Sequence, residues 1–391
     1  MKRILFCLAL CLSAAGAPSA SEKQAVISAV NTLDILRPDE TVEVPWKDVL
    51  AQLPDANPDR MEVRDAETKK LVVSQNLDLD GNGKPEILVF QASFQPNETK
   101  RYLLQKALVS MRTRFENMSK TYGRFVPDRF DDYAWENDKT AHRIYGPALM
   151  TWEREPLTSS GIDIWCKSTS RLIVNAWYAG DDYHKDHGEG GDFYSVGPSR
   201  GIGGLGIWDG QKMHLSKNFT AARTLANGPV CTIFELTYAS WSANGFTVSE
   251  TKRIRLDGGQ VLNRLTSTFR TKPKQKSMQV AVGIAEVKGG ELFFNTEQGW
   301  IAYWQPVTAV PGTCLALAVM MDSSVLKGIT RDERNHLALA EWTEGKPLVV
   351  FAGGSWSRSG DFPDFASWQI YLSNLSRRIH SPIRSTVETA K

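Results

Sequence analysis

The stretch TKRIRLDGGQVLNRLTSTFRT, residues 251–271, sets two alternating runs on either side of Asp257-Gly258-Gly259. A side-chain period of two, broken by a glycine turn, is the pattern of an antiparallel hairpin. The same pattern recurs along most of the chain. Residues 22–95 contain QAVISAVNTL, ETVEVPW, RMEVRD, KKLVVSQNLDL and PEILVFQASF, and in the second of these Val42, Val44 and Trp46 alternate with polar neighbours. Beyond Ala141 come RLIVNAWYAG, MQVAVGIAEV, GWIAYWQPV, CLALAVMM, HLALAEW and KPLVVFAGG. In RLIVNAWYAG, Leu172, Val174, Ala176 and Tyr178 take one face of an expected strand, with Ile173, Asn175 and Trp177 on the other. Short strands bounded by turn formers, with few helices among them, predict a mostly β protein built as a large two-sheet sandwich.

Two segments break the period of two. Leu104, Leu108, Met111, Phe115 and Met118 recur at three and four residues, which predicts one amphipathic helix between Lys100 and Tyr122. Phe365, Trp368, Tyr371, Leu372, Leu375 and Ile379 share a helical face, so the chain is expected to close with a helix. The resulting division is a leader over 1–20, a small β-sandwich over 21–99 and a large one over 100–391.

The leader is read from MKRILFCLALCLSAAGAPSAS. Lys2 and Arg3 precede an apolar run from Ile4 to Leu12, and small residues follow, as in an export signal. That run is short for a membrane anchor, and no later segment approaches ~18 uninterrupted apolar residues. The expected location is the periplasm or the extracellular space. Removing the leader removes Cys7 and Cys11 and leaves Cys166, Cys231 and Cys314, each in an apolar strand-like run. Three core thiols are expected rather than a disulfide framework. A formal net charge of +2 over 391 residues, without a polybasic tract, gives no footing for nucleic-acid binding. Seven of the twelve tryptophans lie beyond residue 200, enough to furnish flat platforms for sugar faces as well as core.

NLDLDGNGKPEIL places Asp78, Asp80, Asn82 and Glu86 at positions one, three, five and nine of a calcium-type loop, with Gly83 at its sharp turn. Position twelve is Val89 rather than a bidentate glutamate, and the flanks read as strands, which excludes an EF-hand. A structural calcium at a β-turn is the expectation, against a turn held by its own Asx side chains.

The run DDYHKDHGEGGDFYSVGPSRGIGG, residues 181–204, concentrates ionisable groups on a backbone carrying seven glycines. His184, Asp186, His187, Glu189 and Asp192 are metal-ligand types, but HKDH lacks the fuller histidine set of a binuclear hydrolase, and His142, His214, His336 and His380 are scattered. Acid–base chemistry suits the segment better. His184 and His187 offer imidazoles for proton transfer, Lys185 would be a base if desolvated, Tyr183 supplies a phenol and Arg200 a carboxylate clamp. Asp186 or Glu189 would orient a histidine. Two further segments are expected to join this one: HRIYGPALMTWE, with Arg143 and Tyr145, and GGSWSRSGDF, with Trp356, Ser357 and Arg358. Each residue also has a plainer role, as a solvated loop charge or a core aromatic.

AHRIYGPAL, GIDIWCK, the YHKDHGEG run, the FELTY strand ending at Tyr238 and GGSWSRSGDF, in this order, resemble a bacterial family of secreted proteins, largely of unknown function. The likeness runs over most of the mature chain, and the YHKDHGEG run is its most specific part. Members of that family are encoded beside polysaccharide-degrading enzymes. The resemblance implies a galactose-mutarotase-like supersandwich, and a relative is thought to dehydrate uronic-acid-ended oligosaccharides of ulvan.

The expected function is therefore β-elimination on a uronic-acid-containing oligosaccharide, of dehydratase or lyase type. That chemistry needs a cation at the substrate carboxylate, a base for the C5 proton and an acid for the departing oxygen. Arg143 or Arg200 would serve first, His184, His187 or Lys185 second, and Tyr145 or Tyr183 third. Trp356, Ser357, Arg358 and Tyr238 would hold the sugar, and no cofactor is required. Two other readings stay open: a glycan-binding protein without turnover and a zinc-dependent glycan hydrolase.

Overall fold

A computed structural model describes residues 23–390 apart from positions 155 and 181. The export signal expected over 1–20 lies outside the described residues. The fold is mostly β. Two large antiparallel sheets pack face to face, and their inward residues, among them Ile164, Val280 and Ala338 from one sheet and Ile254, Leu265 and Val350 from the other, form the main core. The first sheet runs Leu326–Arg331, Asn335–Thr343, Ser277–Ala285, Ile202–Trp208, Ile162–Lys167, Ala141–Ile144, Asp132–Asn137, Thr121–Val126. The second runs Ala221–Asn227, Cys231–Ala243, Phe246–Asp257, Leu262–Lys272, Leu348–Trp356, Cys314–Met320, Trp300–Pro306, Glu291–Asn295. The hairpin expected around Gly258-Gly259 is present, with Arg255 directly opposite Arg264. Its alternation is what buries Ile254, Leu256 and Leu265 and turns the intervening polar residues outward.

Two smaller sheets hold the N-terminal part. Ala25–Val30 lies between Thr99–Lys106 and Arg384–Thr389, and Ile87–Phe94 lies between Arg37–Pro45 and Ser74–Leu77. Ile27, Val42, Val44, Phe90 and Tyr102 close a core between them.

Several elements differ from the sequence expectation. No helix spans Lys100 to Tyr122: Thr99–Lys106 is a strand, and only Met111–Phe115, followed by a 3-10 turn, is helical. Tyr102 and Leu104 alternate into the N-terminal core because strands are available on both sides, and Leu108, counted on the helical face, is 97% exposed. RLIVNAWYAG is not a strand, since Val174–Gly180 is a helix. Val174 and Tyr178, four apart, satisfy either period, and the Glu136 carboxylate decides between them by accepting the backbone N–H groups of Ile173 and Val174, both at 2.7 Å. Trp46 starts a short helix, Trp46–Gln52, instead of extending its strand. The helix Phe365–His380 forms, capped by Asp364, whose Oδ1 accepts the Ser367 N–H at 2.8 Å. It does not close the chain, because the strand Arg384–Thr389 follows and completes the N-terminal sheet. Cys166 and Cys231 are buried free thiols, and Cys314 is half-buried. Among the described residues no helix is long and apolar enough to cross a membrane.

Candidate active site

A cavity of about 500 Å³ opens where the strand Ala141–Ile144 meets the segment from Tyr183 to Gly197. Arg143 is its centre. Cross-strand pairing sets Arg143 directly opposite Asp163, and Arg143 donates to Asp163 Oδ2 through Nη2 at 2.7 Å and Nε at 3.2 Å. The same Nη2 donates to Asp192 Oδ2 at 3.2 Å, and Nη1 donates to the Tyr183 phenol at 3.2 Å. Asp132 stands 3.9 Å away and accepts the Gly146 N–H at 2.7 Å. The ring of His184 lies against Tyr183, with Nδ1 at 3.2 Å from the Asp192 carbonyl and 3.6 Å from its carboxylate. Asp192 thus touches both the arginine and the histidine.

Burial dominates the electrostatics. It pushes the Asp132 carboxyl up to about 7, against the pull of Arg143. Burial also raises Asp163, reinforced by the charge of Asp192, and it raises Asp192, with Arg143 opposing in both cases. Three acids around one guanidinium therefore share protons near neutrality rather than all ionising. Burial works against the charge on Arg143, but Asp163 and Asp192 outweigh it and keep the guanidinium protonated. Burial likewise raises the Tyr145 phenol, which stays a proton donor at neutral pH.

Aromatic groups wall the cavity. Phe130 and Trp152 pair at 4.8 Å, Tyr145 lies 5.4 Å under Arg143, and Arg129 sits 4.9 Å over the Tyr183 ring. Phe130 and Asp131 both take left-handed backbone angles, φ 58° and 63°, at the rim. Two successive non-glycine residues in that region store strain of the kind that accumulates at functional sites. Gly146 seals the turn from below, since a Cβ there would stand 1.9 Å from the Asp131 carbonyl oxygen. Gly190, at φ 118°, packs its backbone as closely on Cys166 and anchors the far end of the histidine loop.

Of the residues singled out in the sequence, Arg143, Tyr145, Tyr183, His184 and Asp192 meet in this cavity. The others lie elsewhere. Lys185 and His187 are exposed, and both pair with Asp182. Asp186 accepts the Gly188 and Gly190 N–H groups and pairs with Arg358, so both tie the loop to the second sheet. Glu189 pairs with Arg171 on the surface at 2.9 Å. Arg200 is buried, donates to the Pro198 carbonyl and the Ser160 hydroxyl, and is lowered by desolvation to about 10. It therefore braces the strand Ile202–Trp208 instead of reaching the cavity. Tyr238 is buried over Lys252 in the sandwich core. Trp356 is buried and donates to Thr313 Oγ1 at 3.0 Å, while the Ser357 hydroxyl accepts the Cys314 N–H. The sandwich interior claims Tyr238 and Trp356 and the Cys314 backbone claims Ser357, so none of the three lines the Arg143 cavity.

Sequence reasoning passed over Asp132, Asp163, Arg129, Phe130 and Trp152. Asp163 left one trace, as the lone acid inside the apolar run GIDIWC. The acids of the DLDGNG turn converge separately. Asp78, Asp80 and Glu86 bring ligand oxygens within 4.8 Å of one another, and the Asn82 amide donates to Asp80 Oδ2 at 2.8 Å. Asp78 accepts the Gly81 and Gly83 N–H groups, Asp80 accepts the Asn82 N–H and Glu86 accepts the Leu79 N–H, so the turn is also braced by its own side chains. None of these residues lines the Arg143 cavity.

Residues 30–384 match a family described as a domain of unknown function, DUF4861. The chain belongs to this family. An uncharacterized protein from Formosa agariphila is 34% identical to this DUF4861 member over 376 residues, 93% of each chain. Among solved structures, an alpha-mannosidase from Enterococcus faecalis aligns with a TM-score of 0.45 and 8% identity. That alignment covers 93% of this chain and 46% of the mannosidase, a likeness too weak to carry any argument about activity.

Proposed function

We propose that this DUF4861 protein is an exported carbohydrate-active enzyme that performs β-elimination on uronic-acid-containing oligosaccharides, with its active site in the Arg143 cavity. The observation that carries the reading is the convergence of Arg143, Tyr183, His184 and proton-sharing acids on one aromatic-walled concavity. In the proposed step His184 takes the C5 proton. The C–H electron pair becomes the C4–C5 double bond, the C4–O bond breaks, and Tyr183 or Tyr145 protonates the departing oxygen. Positive potential from Arg143 and Arg129 favours the charge that builds on the C6 carboxylate. Asp192 orients the His184 ring and, with Asp163, fixes the Arg143 fork. Tyr145, Phe130 and Trp152 offer faces for the sugar. The resemblance to proteins encoded beside polysaccharide-degrading enzymes points the same way.

Incubation with a panel of uronic-acid oligosaccharides, read by mass spectrometry and by the ultraviolet absorbance of a conjugated carboxylate, tests the proposal. Loss of one water marks dehydration, chain shortening with new absorbance marks a lyase, and chain shortening without it marks hydrolysis. Saturable binding with no product would replace the elimination reading by glycan recognition alone. The proposal includes a structural calcium at Asp78, Asp80 and Glu86. Calcium should raise the unfolding midpoint of the wild type and leave that of Asp80→Ala unmoved, as read by thermal unfolding with and without chelator.

A further inference from the structure

A second cleft of about 500 Å³ lies between the strand Arg37–Pro45, the helix Phe365–His380 and the outer face of the second large sheet. On that face Arg255, Arg264 and Phe351 are cross-strand neighbours in register, while the residues beside them, Ile254, Leu265 and Val350, point into the core. Two arginines directly opposite each other repel. Arg255 is compensated, donating to Asp257 through Nε at 2.6 Å and Nη2 at 3.0 Å and pairing with Glu43. Arg264 is not. Among the described residues it has neither a hydrogen bond nor a carboxylate within 4.0 Å.

The other acid in the cleft is committed as well. Glu40 pairs with Arg37 at 2.8 Å and with Arg378. Four guanidiniums thus face three carboxylates, Glu40, Glu43 and Asp257. Arg37 and Arg378 each leave a buried Nε–H without an acceptor. Arg264 is exposed as a residue, yet partial desolvation, then the charge of Arg255, holds its guanidinium below the usual range, with Glu43 and Asp257 pulling only partly the other way.

We infer that this cleft is a second ligand site that takes an oxyanion, the carboxylate of an acidic saccharide or a free inorganic anion, with Arg264 as the principal cation. An oxyanion there would supply the missing acceptors and relieve the Arg255–Arg264 repulsion, and Phe351 beside it offers a face to an attached sugar ring. The inference does not rest on the chemistry of the Arg143 cavity.

Isothermal titration calorimetry of the full chain at fixed ionic strength tests it, with sodium sulfate, trigalacturonate and maltotriose as probes. At least one anionic probe should bind, maltotriose should not, and Arg264→Gln should weaken the anionic binding by about tenfold or more. Equal Arg264-dependent affinity for sulfate and trigalacturonate would assign the site to a free oxyanion, and Arg264-dependent binding of the trisaccharide alone would assign it to an acidic glycan. Because Arg264 makes no native hydrogen bond or close ion pair to lose and stands opposite Arg255, the unliganded Arg264→Gln protein should unfold at the wild-type temperature or higher. Anion titrations of Arg264→Gln that superimpose on the wild type would overturn the inference, as would a lowered unfolding temperature, which would make Arg264 a structural residue. Product formation in the Arg143 cavity is a separate readout: its absence sinks the elimination proposal and leaves the Arg264 comparison intact.

Discussion

His184 and its loop neighbours give the sharpest contrast among single residues. The His184 side chain is 65% exposed, so His184→Ala should leave the unfolding temperature near that of the wild type while lowering turnover on a uronyl oligosaccharide by about 10²- to 10⁴-fold. Lys185→Ala and His187→Ala should retain turnover, because both side chains pair with Asp182 outside the cavity. Steady-state rates beside thermal unfolding check all three. Asp132 makes a prediction about pH. Its folded-state value of about 7 stands above the ordinary carboxylate value of 3.8, so the folded protein holds a proton that the unfolded chain has released. The stability that Asp132 contributes should therefore fall as pH rises from about 4 to about 7 and level off above that. Asp132→Asn should shallow the decline without abolishing it, because burial raises Asp163 and Asp192 in the same direction. Urea unfolding at several pH values measures the slope. At this scale the sequence exposed His184, Tyr183, Tyr145 and Arg143, whose residue types announce chemistry. It hid Asp132 and Asp163, because nothing in a strand-like run says that its acid will face a guanidinium from another strand.

The helix Val174–Gly180 shows how one buried carboxylate organises an element. Glu136 accepts two of its first N–H groups and also binds Lys167 Nζ at 2.8 Å, and both side chains of that ion pair are fully enclosed. Lys167→Met would leave the Glu136 charge buried without its cation, at a cost of about 3–5 kcal/mol. A urea-unfolding midpoint close to the wild type would contradict this. The helix leads into the histidine loop, and Trp177 and Tyr178 pack on Trp165, which also stacks on Tyr183. The variant should therefore lose turnover along with stability. The hairpin Phe246–Asp257 and Leu262–Lys272 was legible because its alternation and its glycine turn agree. The segment after Lys100 was misleading because the spacing of Leu104, Leu108 and Met111 suits a helix, whereas the pairing that makes Thr99–Lys106 a strand comes from residues more than thirty positions away.

Across the whole molecule, the first and last described strands meet. The strand Arg384–Thr389 pairs with Ala25–Val30 along its full length and covers what would be an open edge of the N-terminal sheet. Ending the chain after Ser381 should lower the unfolding midpoint and promote self-association through the exposed edge, as read by calorimetry and light scattering. The mostly β class was readable from the recurrence of short runs. The return of the C-terminal segment to the N-terminal sheet was not, since a short polar strand carries little pattern of its own. The same long-range folding draws Arg143, Asp163 and Asp192, separated by up to 49 positions, into one cavity. The most direct test of that cavity is the crystal structure of His184→Ala soaked with a uronic-acid trisaccharide. The account predicts a uronyl ring inside the Arg143 cavity, against Tyr145 and Tyr183, with its C5 hydrogen directed at position 184. A trisaccharide bound elsewhere, with the Arg143 cavity empty at saturating concentration, would contradict it.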